Sequence, residues 1–398
     1  MKINNITTLL LFSPLLFLCC EKYTSVKIAD ENFLEALIKL GVDTDGDGFI
    51  SFEEAEAVKT LNIYYFDIFD LKGLEWFTNL ETLRCGNNEI TSIDVSHNIA
   101  LRYLDIYGNK LTSLDVSKNI NLETLVAMYN PLGSLDISYN KALIALHCEG
   151  SRIANLDVSN NPELKVLDCT MNGLTRLDVS KNPKLEVLRC WINQLETIDV
   201  SNNPLLKTLN CSYNNLTALD LTNNSQLTVL VCEDNELTDI KFSENCTPTD
   251  IYCNYNNLST ITIPIKNSLR RLSCDYNKLT VLDLNGSTSL QYFYGNYNQL
   301  TNLDIPASDN LVYFECSHNQ LVNLKTSLNP GLRELNCAYN KLTTLDVSNY
   351  KKLDHLVLSE IPSLYKVCVW QIPFPPANVY VNTEGSLNVY FSTDCSKN

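Results

Sequence analysis

A tandem repeat constrains this 398-residue chain more than any other feature of its sequence. Thirteen units of 21 residues follow one another from residue 80 to residue 352 without insertion or deletion. The first unit reads LETLRCGNNEITSIDVSHNIA and the last reads LRELNCAYNKLTTLDVSNYKK. A unit this short contacts mainly its neighbours, so added units lengthen a coil and do not enlarge a globular core. The length of the chain therefore reflects stacked repeats more than separate domains.

The residue pattern within each unit indicates the fold. Apolar residues recur at positions 1, 4, 6, 11, 14 and usually 16, and position 9 is asparagine in twelve units. The pattern LxxLxLxxNxL with a period of roughly 20–29 residues is typical of a leucine-rich-repeat solenoid. We predict an α/β, right-handed solenoid with a curved parallel β-sheet on its concave face and a small helical N-terminal cap. The predicted segments are 21–79 for the cap and an irregular first turn, 80–352 for the repeats and 353–398 for a C-terminal cap.

Three recurring polar or small residues are interpreted as structural. Cysteine takes position 6 in ten units, where strand alternation directs it inward, and strands about 4.8 Å apart favour packing over disulfides. Asparagine at position 9 is expected to pair with backbone groups at a turn. Aspartate at position 15, present in ten units, is expected to cap the following turn, and a row of cation sites is the alternative. A disulfide between Cys368 and Cys395, outside the cysteine ladder, is left open.

The first twenty residues have the layout of an export signal. Lys2 precedes the apolar run ITTLLLFSPLLFL, which is too short to span a membrane and ends at Cys19 and Cys20. The run resembles a bacterial lipoprotein signal, in which the new N-terminal cysteine carries the lipid. We predict lipidation at Cys20, with Cys19 as the alternative residue and an ordinary cleaved signal as the alternative process. The chain is then exported and lipid-anchored at the outer membrane or cell surface, facing either outward or the periplasm.

The segment DTDGDGFISFEE at residues 43–54 matches the EF-hand calcium loop. Carboxylates occupy loop positions 1, 3, 5 and 12, and a glycine occupies position 6, where the loop turns sharply. Helices are predicted on both sides, over about 30–40 and 53–60. The alternative is an acidic turn that has lost its metal. The predicted calcium ligands are Asp43, Asp45, Asp47, the backbone carbonyl of Phe49, Ser51 through water, and Glu54.

A second candidate site lies on the concave face, which positions 3, 5, 7 and 8 of each unit present outward. Exposed aromatic rings among polar neighbours are typical of protein-binding hot spots and of sugar-stacking sites. The alternative is that tyrosine simply suits a strand. The interleaved acids include Glu233, Asp234, Asp275 and Glu315. The predicted ligand-binding residues, in repeats nine to twelve, are Tyr252, Tyr255, Tyr276, Tyr292, Tyr294, Tyr297 and Tyr313.

Charge and motifs argue against two classes of function. The formal net charge of −16 and the scattered lysines and arginines disfavour nucleic acid and anionic membrane surfaces as partners. Of the four histidines, His97 is on a turn and His147, His318 and His355 are on separated strands, and we find no GxSxG, HExxH or phosphate-binding loop. We therefore predict a monomeric binding protein that is not an enzyme and contacts the membrane only through its lipid.

The motif LxxLxCxxNxLTxLDVSxN over 80–352 resembles the bacterial leucine-rich-repeat surface proteins related to the internalins, especially members with 21-residue repeats and a cysteine ladder. The resemblance implies an EF-hand-like cap and a role in adhesion or host-protein binding. The sequence departs from that family in lacking a C-terminal wall-sorting motif, so the lipid at Cys20 is expected to serve as the anchor. Two functions remain, recognition of a host or bacterial surface protein and, as the alternative, capture of a glycan.

Overall fold

The computed structural model describes residues 25–325 and 328–395. The predicted signal segment and Cys20 lie outside these residues. Within them, sixteen three-residue strands form one parallel sheet in which each strand pairs with the next turn of the coil. The strands are Thr60–Asn62, Thr82–Arg84, Tyr103–Asp105, Thr124–Val126, Ala145–His147, Val166–Asp168, Val187–Arg189, Thr208–Asn210, Val229–Val231, Asp250–Tyr252, Arg271–Ser273, Tyr292–Tyr294, Tyr313–Glu315, Glu334–Asn336, His355–Val357 and Tyr380–Asn382.

The register of this sheet follows the sequence period. Partners are 21 residues apart from Thr82↔Tyr103 to Glu334↔His355. The first pair, Thr60↔Thr82, and the last, His355↔Tyr380, have different spacings, so both ends of the coil are irregular. The prediction of a leucine-rich-repeat solenoid with a parallel sheet is confirmed.

Short strands on the other side of some turns form smaller parallel sheets. They lie at positions 13 to 16, away from the main sheet, and they appear mainly in the C-terminal half. These strands are Ala218–Leu221 with Asp239–Phe242, Asn302–Asp304 with Asn323–Lys325, and Thr344–Asp346 with Lys366–Cys368 and Tyr390–Ser392.

The core between the two sides is built by the apolar ladders. The position-4 leucines are fully buried, and the ten position-6 cysteines are buried and unbonded. One exception shows how tightly the ladders pack. Repeat eleven has Gly295 at position 6, and a Cβ there would lie 2.4 Å from the ring of Phe293, the position-4 residue of the same repeat. The larger ring therefore takes the volume that cysteine fills elsewhere.

The position-9 asparagines join consecutive turns. Asn214 Nδ2 donates to the carbonyls of Cys190 and Cys211, both at 3.0 Å, and its Oδ1 accepts from Leu195 N at 3.0 Å. The one serine at this position, Ser151, donates from Oγ to the Ala127 carbonyl at 2.9 Å. The interpretation of position 9 as structural is confirmed.

Positions 15 and 19 form further structural ladders. Asp94 Oδ1 accepts from Ser96 N at 2.9 Å, and the same contact recurs along the coil, so turn capping is confirmed. Hydrogen bonds from Ser96 lower the pKa of Asp94 below its usual value. At position 19, Asn119 is fully buried, and its Nδ2 donates to Val95 O at 3.0 Å and Asn98 O at 2.9 Å in the preceding turn.

The N-terminal cap consists of helix α1, Glu31–Lys39, and helix α2, Phe52–Ala57. Asp30 caps α1 through Phe33 N and also accepts from Phe69 N at 2.7 Å, which ties the cap to the first turn of the coil. A 3₁₀ turn, Leu74–Trp76, follows. The predicted second helix extended too far, because Thr60 begins the first strand of the main sheet and needs an extended backbone.

The C-terminal end is closed by a covalent link. Cys368 and Cys395 form a disulfide with a Cα–Cα distance of 5.6 Å, which resolves the pairing that the sequence left open. None of the helices in 25–325 and 328–395 has the length and apolar character needed to span a bilayer.

We expect Asn214→Leu to lower the free energy of unfolding by about 1–3 kcal/mol, because the buried backbone groups that bind Asn214 lose their partner. Chemical and thermal denaturation measure this change. The matched control is Asn202→Leu, since Asn202 is exposed. Equal melting temperatures for Asn214→Leu and the wild type would show that position 9 is not structural.

Candidate functional site

The loop between α1 and α2 brings three predicted calcium ligands together. Oxygen atoms of Asp43, Asp45 and Asp47 lie within 4.8 Å of one another. Asp43 accepts from Gly46 N at 2.7 Å and from Gly48 N at 3.0 Å, and Asp47 accepts from Phe49 N at 2.8 Å. Gly48 has a φ of +83°, a conformation that favours glycine. The backbone thus folds around a space lined by carboxylates.

Glu54 has a different set of contacts from the one predicted. One carboxylate oxygen accepts from Thr44 N at 2.6 Å and Thr44 Oγ1 at 2.7 Å, and the other accepts from Ser51 N at 2.8 Å. These hydrogen bonds lower the pKa of Glu54 to about 2, and the bond from the Thr44 hydroxyl has the largest effect. Ser51 is the N-cap of α2 and forms a capping box with Glu54. Bidentate metal binding by Glu54 would therefore require its oxygens to leave Thr44 and Ser51.

On the concave face, the position-8 residues of repeats nine to thirteen form a continuous column of stacked rings, which we call the aromatic rail. Successive ring centroids are 4.5, 4.2, 4.0 and 4.0 Å apart, and the rings are within 18° of parallel. Each residue has a φ of +52° or +53°, a left-handed backbone that turns the ring out of the strand. The rail consists of Tyr255, Tyr276, Tyr297, His318 and Tyr339.

Rings in the middle of the rail have neighbours on both faces, so they present mainly their edges and hydroxyls. The tyrosines of the rail are between 40% and 50% exposed. His318 is not among the predicted ligand-binding residues, which are all tyrosines. Its position 8 in repeat twelve is the signal that would have found it.

The other four predicted tyrosines lie on the strands beside the rail. The Arg271 guanidinium lies over Tyr292 at 4.3 Å and over Tyr252 at 5.7 Å from the ring centroids. Tyr292 stacks on Tyr313 at 5.6 Å, and half-buried Tyr294 has a raised pKa because burial disfavours its phenolate. All seven predicted tyrosines are therefore on one face, in three columns at positions 3, 5 and 8.

Between these columns runs a hydrogen-bonded chain of polar side chains that we call the polar network. Asn254 donates to Glu233, and Asn254 Oδ1 accepts from Ser273 Oγ at 2.9 Å and Asp275 N at 2.7 Å. The pattern continues two repeats on. Asn296 N donates to Asp275 at 2.6 Å, and Asn296 Nδ2 donates to Glu315 at 3.0 Å. The network thus consists of Glu233, Asn254, Ser273, Asp275, Asn296 and Glu315.

The carboxylates of the polar network are half-buried. Burial raises the pKa of Asp275 to about 6, and nearby Glu315 and Glu233 add to the shift. Burial also raises the pKa of Glu233 and of Glu315. The sequence indicates the acids on this face. It does not indicate the asparagines that join them, because each resembles an ordinary polar surface residue.

Comparison with known proteins places this geometry in a family. The sequence signature described as "Leucine Rich repeats (2 copies)" matches residues 78–119. The functional domain of internalin J (InlJ) from Listeria monocytogenes, which includes a cysteine ladder, is 34% identical with a TM-score of 0.78. The match covers 85% of this chain and 75% of that one. A search of the curated proteins finds no match.

Two more distant structures share the fold. A leucine-rich-repeat protein of Leptospira interrogans is 21% identical over 83% of this chain and 97% of its own, with a TM-score of 0.62. An internalin (inlF) of Listeria monocytogenes is 20% identical over 89% of this chain and 94% of its own, with a TM-score of 0.59. At these identities the likeness concerns the fold alone. The match to internalin J also shows the family. By the identity and coverage of that match, the chain belongs to the internalin-like family of bacterial leucine-rich-repeat proteins.

Proposed function

We propose that this protein is an exported recognition module whose concave face over repeats eight to thirteen binds a protein on a host or bacterial surface. The observation that carries the proposal is the concentration of exposed rings and half-buried carboxylates on one side of consecutive repeats. Solenoids of this kind use their extended concave surfaces for binding. Aromatic rings bounded by polar groups supply large contact areas with little loss of side-chain entropy.

Glycan capture is less well supported by the geometry. A sugar stacks on the open face of an aromatic ring, but Tyr276, Tyr297 and His318 each have rings on both faces. Tyr292 is enclosed between Arg271 and Tyr313. Within the rail, the end rings Tyr255 and Tyr339 stack on one neighbouring ring, and beside the rail Tyr313 stacks on Tyr292. Edges and hydroxyls suit a protein surface better than a sugar ring.

Lipid anchoring at Cys20 completes the proposal. Four residues lie between Cys20 and Ser25, where the described cap begins, and five residue steps of extended chain span at most roughly 17 Å. The cap would then lie next to the membrane, and the coil would extend away from it.

We expect the Cys20→Ala variant in the soluble fraction and the wild type in the membrane fraction, because the variant lacks the lipidated residue. Unchanged partitioning of the variant would show that the anchor is not at Cys20.

We also propose that the loop of the cap binds calcium. Asp43, Asp45 and Asp47 converge as a divalent cation requires, with the Phe49 carbonyl and Ser51 further along the same loop. Glu54 would complete the site after exchanging its contacts with Thr44 and Ser51 for the metal. Bound calcium would offset the mutual repulsion of these carboxylates and so hold α1 and α2 against the first turn of the coil.

Calcium binding is expected to raise the melting temperature of the wild-type protein, and chelation is expected to lower it, because the ion binds only the folded loop. Thermal denaturation with calcium or with chelator measures the effect, and calorimetric titration measures the binding. Asp45→Ala should abolish both responses, whereas Glu56→Gln, an exposed acid on α2, should keep them. Absence of calorimetric binding by the wild type would refute the site.

The recognition proposal is tested on paired arrays of surface proteins and glycans. The rail variant carries Tyr255→Asn, Tyr276→Asn and Tyr297→Asn, since asparagine tolerates the left-handed backbone. We expect the wild type to bind protein spots, the rail variant to lose at least about tenfold of that binding, and the control Tyr139→Asn to retain it. Tyr139 is exposed in a turn outside the concave face. Binding confined to glycans, or unchanged in the rail variant, would contradict the proposal.

A further inference from the structure

The polar network has a spatial period that the tyrosines alone do not reveal. Glu233 follows strand Val229–Val231, Asp275 follows strand Arg271–Ser273, and Glu315 ends strand Tyr313–Glu315. Each acid is two strands from the next in the sheet order. At about 4.8 Å between strands, the strands that carry successive acids are roughly 10 Å apart. The concave face thus carries three negative groups in a row about 20 Å long.

No cation of the protein compensates these three groups within the described residues. Burial and neighbouring acids raise the pKa of each, and no basic side chain contributes to lowering it. The nearest arginines have other contacts. Arg270 binds Asp250 at 3.2 Å, and Arg271 lies between Tyr252 and Tyr292. The hydrogen bonds from Asn254 and Asn296 orient the carboxylates but leave their charge uncompensated.

The aromatic rail borders the row of acids on one side. Tyr276 directly follows Asp275, whereas Tyr255 and Tyr297 directly follow Asn254 and Asn296, the asparagines that donate to Glu233 and Glu315. Long cationic side chains pack their aliphatic stems on apolar surface while the charged end reaches a polar group. The hydroxyls at the ring edges can also accept hydrogen bonds from such cations. Rail and acids together therefore fit lysine or arginine side chains better than any other type.

We propose that the concave face of repeats eight to twelve docks an extended polypeptide segment of the partner, with lysine or arginine at about every third residue. In the polyproline-II conformation an extended chain rises about 3.1 Å per residue with three residues per turn, so side chains three residues apart lie on one side, roughly 9 Å apart. This is close to the roughly 10 Å between the strands that carry Glu233, Asp275 and Glu315. Charge complementarity over the row specifies the register and direction of approach. This inference rests on the proposed function, because it describes the partner of the same face.

The test uses synthetic nine-residue peptides and titration calorimetry at low and at physiological ionic strength. One peptide repeats Lys-Ser-Thr three times. A second has the same composition with its lysines adjacent, and a third replaces lysine with aspartate. The site variant combines Glu233→Gln, Asp275→Asn and Glu315→Gln, which keep the hydrogen-bond acceptors. The control combines Asp157→Asn, Asp178→Asn and Asp199→Asn, which change the net charge equally in turns away from the main sheet.

We expect the spaced basic peptide to bind the wild type and the control alike, and to bind the site variant at least about tenfold more weakly. The adjacent-lysine peptide should bind the wild type more weakly than the spaced one. The inference would be overturned if both variants bound the peptide equally weakly, if spaced lysines gave no preference, or if basic peptides did not bind. It would also be overturned if spermine bound as tightly as the spaced peptide. A protein identified on the array that depends on the rail, yet binds the site variant as it binds the wild type, would support recognition by the concave face and contradict the inference of a basic partner segment.

Discussion

Hydrogen bonding between turns is the constraint on which the rest of this structure depends. Each turn of 21 residues must bring its strand back beside the previous one, in register, so that parallel strands pair over the whole coil. The chain turns inside the coil to do so, and the buried backbone groups at those turns need partners. The asparagines at positions 9 and 19 supply them, reaching from one turn to the next as Asn214 and Asn119 do. Leucine and cysteine then fill the space that these bonds enclose.

The same constraint leaves other positions free to differ. Position 8 needs only a left-handed backbone, and its side chain points to solvent, so glycine, methionine, aspartate and tyrosine all occur there. In repeats nine to thirteen every position-8 residue is aromatic. The regular spacing of the turns therefore stacks the rings at about the spacing of the strands. Positions 5 and 7 carry the polar network for the same reason. Recognition chemistry thus occupies the positions that the coil does not require for its own stability.

The sequence predicts a periodic structure well because a period specifies both register and burial. The fold, the buried unbonded cysteines and the turn caps at position 15 all follow from spacing and residue type. Where a side chain could contact several chemically similar partners, spacing and residue type do not determine which contact forms. Glu54 could bind a metal or Thr44, His318 could be a strand histidine or a ring in a stack, and Asn254 could be solvated or join two acids. The Cys368–Cys395 bond belongs to this second group, since nothing periodic relates the two residues.

The central claim is that position 9 stabilises the coil whereas position 8 is available for recognition. Adjacent residues of one repeat test this claim most directly. Thermal denaturation of Tyr276→Asn and Asn277→Leu compares positions 8 and 9 at the same place in the coil. Asn277 binds the Cys253 carbonyl at 2.9 Å, whereas Tyr276 is 41% exposed. The account predicts a melting temperature close to that of the wild type for Tyr276→Asn and a clear decrease for Asn277→Leu. Equal decreases would contradict it, because the rail would then be part of the scaffold.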